Sequence, residues 1–151
     1  MLTPTTKINT KQTGDISEMQ FALWCAEHGL AVSVPLGDRH RYDMVVDTGK
    51  RLLRVQVKTA WRDNGKTFTV SFVNLTTEHG KVVHRSYRGQ VDVLVGYNAL
   101  QKRFYLFGPG ILAQLKRDIV LRYQPSVNNQ TKGIRLASDY ELTDVTQLDA
   151  T

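Results

Sequence analysis

Tyr42-Asp43-Met44-Val45-Val46-Asp47, then Thr48 to Arg51, then Leu52-Leu53-Arg54-Val55-Gln56-Val57-Lys58-Thr59, is the stretch that decides the fold. Two runs rich in apolar and β-branched residues flank a short turn at Gly49, so they pair as an antiparallel hairpin. Side chains alternate along a strand, which sends Leu53, Val55 and Val57 to one face and Arg54, Gln56 and Lys58 to the other. One face packs; the other is free for chemistry. Asp43 then stands near Gln56 and Lys58, so a carboxylate, an amide and an amine gather at one end of the hairpin.

Upstream, Asp15 to His28 reads as the one long helix, with a broad apolar face of Ile16, Met19, Phe21, Ala22, Leu23, Cys25 and Ala26 and with Gly29 placed to end it. Asp15 and Glu18 have capping-box spacing, so Glu18 is either a helix cap or a second carboxylate lowered toward Asp43. Further strands are expected at Ala31 to Pro35, Thr67 to Val73, Val91 to Tyr97 and Arg103 to Phe107. Pro109-Gly110 before Ile111, Leu112 and Leu115 marks a short second helix. Ile119 to Tyr123 and Ile134 to Leu136 read as a hairpin, or as two extended segments joined by the polar loop Gln124 to Gly133. The expected fold is α/β (α+β), with a mixed central sheet of about five strands flanked by helices.

With 151 residues, 41% of them apolar, the chain fits one domain with a core of its own. Lys and Arg number 20 against 14 Asp and Glu, a net charge of +6. Residues 1–60 carry +2, residues 61–135 carry +8 and residues 136–151 carry −4, so the cationic excess lies in the second half. Nucleic acid is the partner class this suggests. Between Gly80 and Gly89, Lys81, His84, Arg85 and Arg88 interleave with Tyr87, a composition suited to phosphate contacts with an aromatic available, or to a plain solvated loop. The single cysteine, Cys25, excludes an internal disulfide, and no Cys/His spacing reads as a zinc site. With neither a membrane-length apolar run nor a signal peptide, the expectation is a cytoplasmic protein with no membrane partner. No Gly-rich phosphate loop and no Ser/His/Asp arrangement points to a different enzyme class.

Phosphodiester hydrolysis needs a divalent ion, an activated water and a cation near the attacked phosphate. Asp43 offers a hard oxygen to Mg²⁺, with the Val57 carbonyl, the Gln56 amide oxygen and Glu18 as further ligands. Lys58 positions or deprotonates the water, or stabilises the charge that develops.

Asp43 followed by Gln56-Val57-Lys58, with Glu18 on an upstream helix, resembles the PD-(D/E)XK nuclease superfamily, and within it the intron-encoded homing endonucleases of the I-SspI type. The likeness runs from Lys11 to Pro109: Gly14-Asp15-Ile16-Ser17-Glu18, Val34-Pro35-Leu36-Gly37, Tyr42-Asp43, Val55-Gln56-Val57-Lys58-Thr59 and Tyr87-Arg88-Gly89-Gln90-Val91-Asp92-Val93. It implies a metal-dependent endonuclease that makes double-strand breaks in DNA at a long target, as a homo-oligomer, tetrameric or dimeric. Tyr42 stands where the motif has proline, and Gln56 where it has its second acidic residue, which shifts weight onto Glu18. On this reading residues 1–10 are a flexible tail and 11–151 one nuclease domain, with 11–109 the catalytic core and 110–151 an extension for DNA binding or assembly.

Blander readings stand beside these. Gln56 and Lys58 fit the wet face of an edge strand, Asp47 a turn, Asp92 a buried hydrogen-bonding or interface residue, His28 a helix C-terminus and Cys25 plain core. His40, between Arg39 and Arg41, suits a phosphate contact, and Trp24 and Trp61 fit core or interface alike. The leading expectation is a Mg²⁺-dependent, site-specific endonuclease cutting double-stranded DNA at a partly palindromic target. Its contacts would be drawn from His40, Arg62, Lys66, Lys81, His84, Arg85, Arg88, Arg122, Lys132 and Arg135. The alternatives are a Holliday junction resolvase or a restriction or repair nuclease of the same fold, and a DNA-binding module that does not cleave.

Overall fold

The computed structural model describes residues 7–151. In chain order it runs through α1 (Thr10–Glu27), β1 (Ala31–Ser33), β2 (Met44–Asp47), β3 (Leu52–Thr59), β4 (Thr67–Ser71), β5 (Val73–Glu78), β6 (Lys81–Ser86), β7 (Val93–Asn98), β8 (Arg103–Phe107), α2 (Pro109–Gln114), β9 (Asp118–Arg122), β10 (Glu141–Leu142) and α3 (Thr146–Asp149).

The start of α1 corrects the sequence reading. Asn9 accepts from the Gln12 N–H while the Gln12 side chain accepts from the Asn9 N–H, both at 2.9 Å. The capping box is Asn9–Gln12, not Asp15–Glu18, and the helix opens at Thr10. Its first residues are polar, so the apolar stripe that marks a helix in sequence begins only at Ile16. Of the tail expected at residues 1–10, residues 1–6 lie outside the described part and Thr10 is helical. Gly29, at φ +76°, donates to the Ala26 carbonyl, and Leu30 donates to that of Cys25, the paired bonds that close a helix on a left-handed glycine.

The central sheet has six strands in the order β1-β2-β3-β7-β8-β10. Only β3 and β7 run parallel; their four other neighbouring pairs are antiparallel. The strand beyond the expected five is β10, whose two residues are too few to show an alternating pattern. β4 pairs with β9 and β5 with β6 in separate two-stranded ribbons. Ile119 to Tyr123 and Ile134 to Leu136 therefore form no hairpin. β9 goes to β4, and the later segment touches it through the Arg122–Leu136 bridge.

The sheet divides two cores. Phe21 and Cys25 of α1 pack with Met44, Val46, Leu53, Val55, Val57, Val93 and Val95 on one side. On the other, Leu94, Tyr105 and Phe107 meet Phe68, Val70, Phe72, Tyr87, Leu112, Ile119 and Leu121. The face of β3 that carries Gln56 is consequently covered too, and Gln56 is only 9% exposed. Residues 110–151 supply Ile119, Leu121 and Ala137 to the second core and Leu142 and Leu148 to the first, so they are part of the same packed unit.

Gly96, in the middle of β7, marks the closest approach of the two layers. A Cβ there would lie 2.9 Å from Val70 Cγ2 and 3.4 Å from Phe107 Cε2. Gly96→Ala overpacks this seam and lowers the unfolding free energy by about 1–3 kcal/mol. The urea midpoint falls at unchanged slope; an unchanged midpoint means that Val70 yields freely and the seam is not tight.

Candidate active site

β2 starts at Met44, opposite Val55 of β3, and one further bond from the Asp43 N–H to the Val55 carbonyl (2.8 Å) extends the ladder. Beyond it, the N–H and C=O of Val57, which point to the same side of β3, have no β2 partner. The Asp43 carboxylate fills the gap. Its Oδ2 accepts from the Val57 N–H at 2.8 Å and from Gln56 Nε2 at 2.7 Å. Among the described residues, Oδ1 of Asp43 accepts no hydrogen bond, and the Val57 carbonyl has only a long 3.4 Å contact from Gln56 Nε2. Two hard oxygens are left without a close hydrogen-bond donor.

Glu18 lines the same cleft as Asp43, a space of about 250 Å³ walled by Val34, Pro35, Gly37, Asp38, His40 and Tyr42. Burial, then the charges of Asp43 and Asp15, hold the Glu18 carboxyl protonated up to about pH 7. Burial also raises Asp43, against the lowering effects of the Val57 N–H, Lys58 and the Gln56 amide. It lowers Lys58, against the attraction of Asp43. Desolvation thus outweighs the attraction between Asp43 and Lys58, and at Glu18 it adds to the repulsion of neighbouring carboxylates. The Lys58 amine lies 5.0 Å from the centre of the Tyr87 ring, which closes off its stem.

Glu18, Asp43, Gln56, Val57 and Lys58 therefore meet at one place, and the helix-cap reading of Glu18 fails because Asn9 and Gln12 fill that role. Gln56 presents its amide N–H to Asp43, so it braces the carboxylate; its oxygen serves a metal only if the amide turns over. Among the described residues no three His, Cys, Asp or Glu side chains gather as a metal cluster. The set on offer is two carboxylates and a backbone carbonyl, all hard oxygens, which fits a magnesium-like cation that keeps several of its waters.

Other candidates have structural work. Asp92 accepts from the Arg54 backbone N–H at 2.7 Å and from its guanidinium at 3.2 Å, stapling the start of β7 to β3, and Arg54 holds its carboxyl below the usual range. Asp47 accepts from the Gly49 N–H in the turn. His28 caps α1, its Nδ1 meeting the Trp24 carbonyl at 2.7 Å. Cys25 is fully buried. Tyr87, read in sequence as an aromatic available to nucleic acid, is 3% exposed, because its ring belongs to the second core beneath Lys58. Sequence reasoning missed the contact between Ser17 Oγ and Thr59 Oγ1, at 2.6 Å, which joins α1 to β3. Each hydroxyl is one residue from a candidate site side chain, Glu18 or Lys58, and that adjacency is the one signal that could have found it.

The basic residues fall into separate groups. His40, Arg39, Arg41 and Arg85 border one groove beside the cleft. Lys66 and Arg122 border a second, Arg88 lies with Arg54 at a third, and Arg62 stacks on Trp61 at 4.2 Å. Lys81 and His84 are exposed on β6, Lys132 is exposed in the loop before Gly133, and Arg135 is half-buried, with its carbonyl taken by the Arg122 N–H. Among the described residues no helix is long and apolar enough to cross a membrane.

Compared with known proteins, residues 8–143 match the family model of the PD-(D/E)XK endonucleases. Among solved structures the chain is similar to a bacterial homing endonuclease, I-Ssp6803I, with a TM-score of 0.74 and 27% identity over 89% of each chain. No curated protein matches it. A match across nearly the whole domain, on a fold that carries an acidic pair and a lysine at the end of its central hairpin, makes the chain a member of the PD-(D/E)XK endonuclease family.

Proposed function

We propose that this nuclease is a Mg²⁺-dependent, site-specific DNA endonuclease of the homing type. In this reading it makes double-strand breaks at a long, partly palindromic target as a homo-oligomer. The observation that carries the proposal is that Glu18 and Asp43 line one cleft while Asp43 is bonded to the Val57 backbone and feels the charge of Lys58. Its similarity to a bacterial homing endonuclease supports the choice of target type, and the +8 of residues 61–135 supports a polyanionic substrate.

Glu18, Asp43 and the Val57 carbonyl would hold the cation, which when bound would neutralise charge building on the attacked phosphate. Gln56 and the Val57 N–H hold Oδ2 of the Asp43 carboxylate, which leaves Oδ1 for the cation. Lys58, its stem packed on Tyr87, brings a donor to the phosphate or to the attacking water at a fixed position. Because burial lowers its proton affinity, it gives up or shares a proton more readily than a surface lysine. One such site handles one strand, so a double-strand break needs two copies with sites facing opposite strands, and the symmetry of the pair is carried into the target.

Cleavage of a pooled duplex library tests the proposal. The wild type cuts one long, partly symmetric sequence with Mg²⁺ and stops with EDTA, and Lys58→Ala lowers the cutting rate by about 10²-fold or more. Cutting that survives EDTA, or that Lys58→Ala leaves intact, overturns it.

The same acidic pair destabilises the metal-free fold. Ionising Glu18 is harder in the folded chain than in the unfolded one, so stability falls as pH rises from about 4.5 to about 7. Glu18→Gln in EDTA therefore melts above the wild type at pH 8 and level with it at pH 4. Equal melting at both pH values removes the case that Glu18 is held against its own charge.

A further inference from the structure

The hairpin β5–β6 is rooted by Val73 and Tyr87 and stands otherwise as its own two-stranded ribbon. Its turn, His79-Gly80, has both residues at positive φ, 50° and 75°, which matches the twist of paired strands. Register places Asn74 opposite Arg85, Thr76 opposite Val83 and Glu78 opposite Lys81, so these six share one face. The other face carries Leu75, Thr77, Val82 and His84, with Leu75 and Val82 exposed at 60% and 64%.

The first face borders a groove whose far wall is Asp38, Arg39, His40 and Arg41. Asp38 and His40 also wall the cleft of Glu18 and Asp43, so the groove adjoins the cleft. Asn74 is half-buried there, and Thr76 Oγ1 is buried with no hydrogen-bond partner among the described residues. Arg85 is paired with Glu78 across the strands.

We propose that this face of the hairpin reads bases in the major groove next to the cut, with Asn74 and Arg85 as the specificity-determining side chains. The inference rests on the reading of the chain as a DNA endonuclease. A two-stranded ribbon fits the major groove, which is about 12 Å wide. The carboxylates decide between bases and phosphates. On the hairpin wall Glu78 repels a phosphate and already neutralises Arg85, so that wall has little to offer the DNA backbone, whereas Arg39 and Arg41 on the far wall are left to hold it. Base edges are neutral and present donors and acceptors together, as Asn74, Thr76, Glu78 and Arg85 do. Asn74 suits the paired acceptor and donor of adenine, and Arg85 the two acceptors of guanine. The Glu78 pairing holds Arg85 in place before binding and is exchanged for the base.

Selection of bound duplexes from a randomised library in EDTA, followed by sequencing, tests this without requiring cleavage. The wild type enriches adenine and guanine at neighbouring positions. Asn74→Ala and Arg85→Ala each flatten the preference at one position by about 5- to 150-fold, the span of one bidentate base contact. Asn74→Asp, similar in shape but without the amide donor, moves that position from adenine toward cytosine. Thr77→Ala, on the far face, leaves the profile unchanged. Uniform weakening on all sequences with a shallower salt dependence makes the groove a phosphate contact and overturns the proposal, as does an Asn74→Asp variant with the wild-type profile or a wild type that enriches no sequence. Cleavage in Mg²⁺ is scored separately, so sequence-selective binding without cleavage counts against the endonuclease reading and not against the hairpin.

Discussion

The bond pair from the Val57 N–H and Gln56 Nε2 to one oxygen of Asp43 is the constraint on which the site depends. It exists because β2 is shorter than β3, so the ladder stops at Met44 and leaves the Val57 backbone without a strand partner. A buried N–H without an acceptor is costly, and Asp43 is the side chain in position to satisfy it. Satisfying it engages one oxygen of the carboxylate and leaves the other without a hydrogen bond. A structural requirement of the hairpin end thereby aims a functional group.

Charge at the cleft follows from burial more than from pairing. Two carboxylates share the space with one lysine, and desolvation pushes all three toward their neutral forms. Glutamine at position 56 limits the strain. A third carboxylate there would face Asp43 with like charge, whereas the amide donates to it. The departure from the motif's acidic residue thus places an internal brace beside Asp43, and leaves Glu18 as the other carboxylate lining the cleft.

The hairpin of β2 and β3, the antiparallel pairing at Gly49 and the end of α1 at Gly29 were legible in the sequence, because each has a strong local cause: alternation, a tight turn or a left-handed glycine. The start of α1 was not, since Thr10 to Gly14 is polar and the cap is an Asn–Gln pair set back from the apolar stripe. The hairpin β5–β6 was read as a loop because both its faces are largely solvated, which removes the period-2 contrast, and because Gly80 marks its turn and not its boundary. The second core was missed for a different reason. Alternation shows that Gln56 and Lys58 leave the first core, but not that Tyr87, 31 residues from Gln56, folds back to cover them. The candidate site was legible as a set of residues; its burial was not.

That burial explains why the site sits where the two cores meet. Glu18 comes from the helix packed on one face of the sheet, while Gln56 and Lys58 project to the other. Asp43 lies where the strand between them ends. Thr59 follows Val55 and Val57 on the face of β3 that packs against α1, so its 2.6 Å contact with Ser17 ties the helix directly to the strand beside both Glu18 and Lys58. Ser17 is 2% exposed and also donates to the Thr13 carbonyl, which leaves its hydroxyl little freedom. The spacing of the acidic pair and the lysine is therefore set by two packed layers and one pair of hydroxyls, and not by the sequence interval between the motif residues.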